Sequence, residues 1–326
     1  MTRRLFLATP ALLLTARAGT VQPLGISKDS LPIHAFKDAI EMLEYCHSLG
    51  AAGIQSTLSS LEPDYLARLR ARADELGMYL EAQGNLRDTA LFERQAAAAQ
   101  SIEARCIRCA CLNTRRYETF STLADFEKFV ADSHAAIERA LPIAQKNRVP
   151  LAIENHKDWT VDEMAALLKK YSSEFLGVCL DTGNNMALLD DPMDAVAKLA
   201  PYAVTTHIKD MAVAEYPDGF LLSEVPLGQG MLDMNSIVAV ISAARPKASV
   251  TLEMITRDPL KIPCLTEKYW ATFPNRNGRY LAAALARVRA HSAKLTTVST
   301  LPREAKLSLE EENVKQSMAY FLRMNQ

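Results

Sequence analysis

The 326-residue sequence is short of the features that mark several large function classes. Its six cysteines include no pair of CxxC motifs, which argues against a disulfide scaffold. Cys106, Cys109 and Cys111 fall on one expected strand, which cannot easily fold them around a single ion; they read as small buried hydrophobes. No GxGxxG follows the first expected strand, and there is no GKS/T loop and no GxSxG elbow. Dinucleotide binding, P-loop chemistry and serine hydrolysis therefore lack their signatures. With 37 basic and 38 acidic residues the net charge is −1, so a basic field for non-specific nucleic-acid binding is missing. The apolar run that ends at Leu14 is too short to anchor the chain across a bilayer. No repeat longer than a βα unit and no low-complexity segment is found.

Hydrophobic residues make up 49% of the chain, enough for one domain of roughly 250 to 300 residues with an ample core. The stretch Leu151 to Glu253 organises it. Four short apolar runs there each lead into a metal-type ligand: LAIENH into Glu154, LGVCLDTGN into Asp181, AVTTHIKD into His207 and SVTLEM into Glu253. Each run has the texture of a buried parallel strand, and the intervals are long enough for helices. Residues two apart on a strand share a face. Two before the ligands stand Ala152, Cys179, Thr205 and Thr251, all small, while the immediate neighbours are mostly bulky. In a barrel this leaves room below the ligands and turns the bulky residues toward covering helices. Four ligands at four C-terminal strand ends converge at the face where such barrels place their chemistry.

The remaining sequence continues the alternation. Strands are expected near Val21–Ser27, Ala52–Thr57, Met78–Ala82 and Cys106–Cys111. Helices are expected at Ala35–Leu49, Pro63–Leu76, Asp88 to about Ala104 and Leu123–Asn147. Eight strands alternating with helices give an α/β (β/α)8 barrel, with a doubly wound sheet as the competitor. Tyr216-Pro217-Asp218-Gly219 reads as the turn of a small hairpin inside the excursion Met211–Gly230. Thr256–Gly278 reads as a long loop carrying Tyr269 and Trp270, which either cap a sugar ring or pin the loop to the barrel. A last barrel helix is expected from Tyr280 to Leu295.

Two terminal segments stand apart, giving expected units 1–18, 19–298 and 299–326. Thr2-Arg3-Arg4-Leu5-Phe6-Leu7 matches a twin-arginine signature, and Ala16-Arg17-Ala18 offers a cleavage site. Export to the bacterial periplasm or beyond is the expectation; removal of residues 1–18 would take the net charge from −1 to −4. In the tail, Ser308 and Glu311 are read as a capping box. Val314, Met318, Phe321 and Leu322 form an apolar stripe that suits docking on the barrel or on a sister subunit in a homo-oligomer.

Two Glu, one Asp and one His form a mixed oxygen–nitrogen ligand set. It favours Mn²⁺, Mg²⁺ or Co²⁺, with Zn²⁺ also possible, and leaves about two positions open on an octahedral ion. Hydroxyl and carbonyl oxygens of a sugar can chelate there, which acidifies the neighbouring C–H; one carboxylate removes that proton and a second returns one. Glu154 and Glu253, on the fifth and eighth strands, are expected across the mouth from each other. His156 and Lys209, two residues after ligands, share their faces and are candidates for substrate binding. Lys209 is also read as a partner for Asp210 or another rim acid. Arg108, inside an apolar strand, must have a buried partner or reach the site. Asn184 and Trp270 complete the candidate substrate contacts.

At these residues the sequence resembles the xylose isomerase-like TIM-barrel superfamily of sugar isomerases and epimerases. The resemblance spans about residues 20 to 297 and is carried by IENH (Ile153–His156), LDTGN (Leu180–Asn184), HIKD (His207–Asp210), PLGQG (Pro226–Gly230) and LEM (Leu252–Met254). It implies that Glu154, Asp181, His207 and Glu253 hold a divalent metal, and that Glu154 and Glu253 are the acid/base pair. Ketose 3-epimerases of the superfamily carry His where Asn184 stands and Arg where Val213 stands, which counts against a free-ketose epimerase. Few histidines and an acidic balance count against the DNA-repair branch. HIKD resembles the inosose dehydratase branch. The expected activity is therefore a metal-dependent sugar or keto-sugar isomerase or epimerase. A dehydratase or keto-glycoside lyase using the same enolate is the close alternative, and an exported carbohydrate-binding protein that has lost catalysis is the distant one.

Overall fold

The computed structural model describes residues 22–324. The expected signal segment, residues 1–18, lies outside the described residues. Among the described residues eleven strands are found: β1 Leu24–Ser27, β2 Gly53–Ser56, β3 Tyr79–Gln83, β4 Ile107–Cys109, β5 Leu151–Glu154, β6 Leu176–Asp181, β7 Ala203–Ile208, β8 Asp210–Tyr216, β9 Gly219–Val225, β10 Ser249–Leu252 and β11 Leu260–Ile262. The helices are α1 Ala39–Ser48, α2 Pro63–Leu76, α3 Thr89–Ser101, α4 Arg116–Thr119, α5 Leu123–Asn147, α6 Val161–Tyr171, α7 Pro192–Leu199, α8 Met234–Ala244, α9 Glu267–Trp270, α10 Gly278–Ala290 and α11 Arg303–Met324. Strands β1 to β7 and β10 close into a parallel barrel ordered β1-β10-β7-β6-β5-β4-β3-β2. The doubly wound alternative is thereby excluded.

Local signals set most boundaries. Pro63 opens α2 and Gly77 closes it at φ 65°. Asp88 caps α3 by accepting from the Leu91 N–H, and Thr160 with Glu163 forms a capping box on α6. Strand alternation then sorts the core. Outward residues such as Ile26, Ile54, Leu151, Ile153, Val178, Leu180, Val250 and Leu252 join the main core beneath the helices. Inward Cys106, Ala152 and Cys179 form a separate small cluster inside the barrel. All three cysteines of the β4 region are free and buried.

The bottom of the barrel is filled by Tyr79. Its hydroxyl donates to the Val250 carbonyl at 3.0 Å. The ring fits because β1 and β2 present glycines: a Cβ on Gly53 would meet the ring at 2.4 Å, and one on Gly25 would meet the hydroxyl at 2.2 Å.

Several elements differ from the sequence-based expectation. Helix α1 starts at Ala39 rather than Ala35, because the Asp38 carboxylate caps the Ile40 and Glu41 N–H groups. Strand β4 is confined to Ile107–Cys109, and α10 ends at Ala290 rather than Leu295. The Thr256–Gly278 segment is not a plain loop: it holds β11 and α9, and β11 pairs antiparallel with β9. The hairpin β8–β9 is correspondingly longer than expected and sits in a three-stranded sheet ordered β11-β9-β8. Ser308 and Glu311 form no capping box, because α11 already begins at Arg303. Pro302 sits just before it, where proline suits a helix start and its carbonyl accepts from the Lys306 N–H.

Helix α11 packs on the barrel through Val314, Met318 and Phe321, whereas Leu322 is exposed. It touches three loops at the C-terminal ends of the strands. The buried Glu310 carboxylate accepts from the Ile33 and His34 N–H groups, 2.8 and 3.0 Å. Ser317 Oγ accepts from the Leu227 N–H at 3.2 Å, and Asn313 donates to Thr256 Oγ1 at 2.9 Å. Among the described residues no helix is long and apolar enough to cross a membrane.

Candidate active site

Glu154 ends β5, Asp181 ends β6, His207 lies near the end of β7, and Glu253 follows β10. Their ligand atoms all lie within 4.8 Å of one another, and all four residues are buried. Glu154 and Glu253 are nearer neighbours than expected. Only β7 and β6 separate their strands, so the two carboxylates flank one point rather than face each other across the whole mouth. That point is marked by His207 Nδ1, which lies 3.5 Å from Glu154 Oε1 and 3.2 Å from Glu253 Oε1.

The donor set fits a cation. His207 Nδ1 and Asp181 Oδ2 are both buried at the cluster, and the Lys209 ammonium stands against the second. The other atoms of both side chains are already committed. His207 Nε2 faces Gln55 Oε1 at 2.8 Å, and because that oxygen only accepts, Nε2 carries a proton; Nδ1, between the Glu154 and Glu253 carboxylates, is the nitrogen at which a cation would replace a proton. Asp181 Oδ1 accepts from the Gly183 and Asn184 N–H groups at 2.9 and 2.7 Å. Asn155 clips β5 to β6 through the Asp181 backbone, accepting from its N–H and donating to its carbonyl at 2.8 Å each. His207 and Asp181 are thus each held by one side-chain atom and turn the other toward the cluster.

A polar layer below the ligands supports them. Gln55 donates to Glu81 Oε2 at 3.0 Å, and Thr205 donates to the same oxygen at 2.9 Å. The small inward residues do make room, but Gln55 and Glu81 from β2 and β3 occupy it. Neither was singled out in the sequence. Their inward strand positions were legible, but nothing marked them as partners of His207.

Cations surround the carboxylates. Arg108 contacts Glu154 Oε2, and Asn184 donates to Glu154 Oε1 at 3.0 Å. Lys209 stands 2.8 Å from Asp181 Oδ2 and also pairs with Glu253. Its partner is not Asp210, whose carboxylate instead accepts from the Gly228, Gly230 and Leu232 N–H groups and shapes the PLGQG loop. Burial alone would raise the Glu154 carboxyl, but Arg108 and His207 outweigh it and hold the group below the usual carboxylate range. Glu253 is lowered in the same way, burial being overcome by His207 and Lys209. Asp181 is raised, mainly by burial.

Above the ligands lies a mouth cavity of about 270 Å³ lined by Asp29, Arg108, Asn113, His156, Lys157, Glu253 and Arg257, among others. His156 faces it with an unpartnered Nδ1. Burial and the neighbouring Lys157 push its pKa down to about 3, so it is neutral. Trp270 is not part of this wall. Its indole N–H donates to the Cys264 carbonyl at 2.8 Å and its ring packs edge-on against Tyr269 and Phe273, which pins the loop. Asp29, Asn113, Lys157 and Arg257 are the polar members of this wall that sequence reasoning missed. Arg257 pairs with the buried Glu224, a residue of β9. A larger cavity of about 620 Å³ lies between α5 and the loop after β4 and shares Asn113 with the mouth, but it is lined by none of the four clustered ligands.

Comparison with known proteins follows this geometry. The family model described as xylose isomerase-like TIM barrel matches residues 43–272. A 3-oxo-isoapionate decarboxylase of Pectobacterium atrosepticum is 29% identical over 202 residues, which is 60% of this chain and 70% of that protein. The 3-keto-D-glucoside 4-epimerase of E. coli superposes with a TM-score of 0.57 at 14% identity, covering 82% of this chain and 99% of that one. The IOLI protein, crystallised with a binding zinc atom, gives a TM-score of 0.56 at 16% identity over 83% of this chain and 100% of its own. At such identities the two structures speak for the fold alone.

Proposed function

The chain belongs to the xylose isomerase-like TIM-barrel family, and from that premise we propose that it is a divalent-metal-dependent enzyme that removes a proton next to the carbonyl of a sugar or keto-sugar. The observation that carries this reading is the convergence of Glu154, Asp181, His207 and Glu253 within 4.8 Å, which brings one imidazole nitrogen and three carboxylates to one buried point. Mn²⁺, Mg²⁺ or Co²⁺ suits the oxygen-rich set, and Zn²⁺ is compatible with its imidazole. When bound, the ion supplies a Lewis acid that polarises the substrate carbonyl.

The side chains supply the rest. Glu154 and Glu253 are both held ionised, so either can accept a proton from carbon. Arg108 and Asn184 fix the orientation of Glu154, and Lys209 fixes that of Glu253. Two carboxylates on either side of one point can take a proton from one face and return it to another position or face, which is isomerisation or epimerisation. His156, neutral and unpartnered, suits a substrate hydroxyl. A lyase reading is favoured by one observation, the 29% identical decarboxylase: an enolate made by proton removal can expel a β-leaving group with its electron pair, which is elimination, whereas loss of CO₂ from a β-keto acid leaves its electron pair behind as the same kind of enolate, which is then protonated. Export by the twin-arginine route, expected from residues 1–18, is part of the proposal.

The test is deuterium incorporation from D₂O into a panel of sugars and 3-keto-glycosides by the Mn²⁺-loaded protein. Exchange that depends on metal and is lost in Glu154→Gln supports the mechanism, and product analysis separates isomerase from lyase. Absence of exchange into every ligand that binds would favour a binding protein. Fractionation of cells expressing the full chain would test the location.

A further inference from the structure

The four cations around the mouth, Arg108, Lys157, Lys209 and Arg257, are unequal. Arg108 has Glu154, Lys209 has Asp181 and Glu253, and Arg257 has Glu224. Lys157 is 2% exposed, and among the described residues its ammonium has a single hydrogen-bond partner, the Asn184 amide oxygen, and no ion pair. A buried ammonium without a counter-ion is costly unless something that binds there supplies one.

We propose that the substrate is a sugar acid, a polyhydroxylated carbonyl compound bearing a carboxylate, and that Lys157 receives this carboxylate. The inference rests on the reading that substrate binds in the mouth. Lys157 lines the cavity beside His156 and Arg108. Its partner Asn184 also donates to Glu154. A carboxylate on Lys157 therefore lies one side chain away from the acid/base group. Burial, with Lys209 nearby, lowers the Lys157 pKa to about 8, as expected for an ammonium that lacks an anion. A phosphate, with about twice the charge, would need more free donors than one lysine, since the neighbouring guanidiniums are already paired.

The test uses the full chain loaded with Mn²⁺ and titration calorimetry with matched probes: D-glucuronate against D-glucose, D-gluconate against D-glucitol, and D-glucose 6-phosphate. The acids are expected to bind at least about tenfold more tightly than their neutral partners, one lost charge-assisted contact being worth about that much. Lys157→Met should remove the preference while leaving the weak binding of neutral probes in place. Lys157→Gln, which keeps a polar end in the same space, should do likewise. Equal affinity for acids and neutral probes, no binding of any acid, tighter binding of the phosphate, or a preference that survives in both variants would each overturn the inference. Survival would mean that the metal, not Lys157, holds the carboxylate. Metal-dependent deuterium exchange into neutral sugars alone would overturn this inference and leave the proposed function standing. Lys157-dependent acid binding without exchange would do the reverse.

Discussion

Replacing Lys157 by methionine should make the ligand-free protein more stable, and the gain should disappear at high pH. The unfolded chain holds its lysine near the ordinary value of 10.5, whereas burial in the folded state lowers it to about 8. Below pH 8 both states are protonated, and the folded state bears the full cost of the buried charge. Two and a half units correspond to about 3 kcal/mol. The variant also loses the bond to Asn184, worth about 1 kcal/mol, although Lys209 remains 3.4 Å from the same oxygen. The net gain at pH 7 is therefore about 2 kcal/mol. Between pH 8 and 10.5 the folded wild type sheds its proton while the unfolded chain keeps it, so wild-type stability rises with pH and the difference closes. Urea unfolding of both proteins at pH 7, 8.5 and 10, with the metal chelated, reads this directly. A variant less stable than wild type at pH 7, or a difference that does not change with pH, would refute the reasoning: Lys157 would then be an ordinary satisfied structural residue.

Glu154→Gln should reduce turnover by at least about a hundredfold in the exchange assay while the protein still binds metal, because the amide keeps an oxygen ligand but cannot accept a proton. Gln55→Leu should weaken metal binding by about 10- to 100-fold by releasing the His207 tautomer, measured by competition with a fluorescent chelator. Gly53→Ala should cost about 1 to 3 kcal/mol in urea unfolding, since its Cβ would lie 2.4 Å from the Tyr79 ring. Adding Mn²⁺ to chelated protein should raise the melting temperature, and the rise should grow with metal concentration as mass action requires; a flat response would count against the site.

The barrel and the convergence of four polar residues were legible because both depend on local sequence order. A parallel strand buried on both faces is a short apolar run, and a functional residue at its C-terminal end interrupts that run at a fixed place. Glu154, Asp181, His207 and Glu253 could be read in this way, and Arg108 could be singled out as a charge that must have an answer within an apolar strand. Lys157 escaped notice because a lysine after a strand is ordinarily a solvated rim residue; only the closed mouth shows that it is buried and alone. Gln55 and Glu81 escaped because their importance lies in reaching His207 across the barrel, a contact 152 residues away in the case of Gln55. Trp270 was visible, but whether it faced sugar or loop depended on β11 and α9, which are too short to leave a periodic pattern. The start of α11 was misread because a good local capping pair lay inside a helix that Pro302 had already begun.

Helix α11 ties down loops that belong to the opposite end of the sequence: Glu310 holds Ile33 and His34 across separations of 277 and 276 residues. During synthesis at about 5 to 20 residues per second, every strand of the barrel has left the ribosome before α11 is free to dock. The loop that carries Asp29 thus waits, built but unfastened, for α11 to arrive. Assembly of the barrel and completion of its mouth are two events in time, and a chain interrupted between them would have the four clustered residues in place before the rim above them was set.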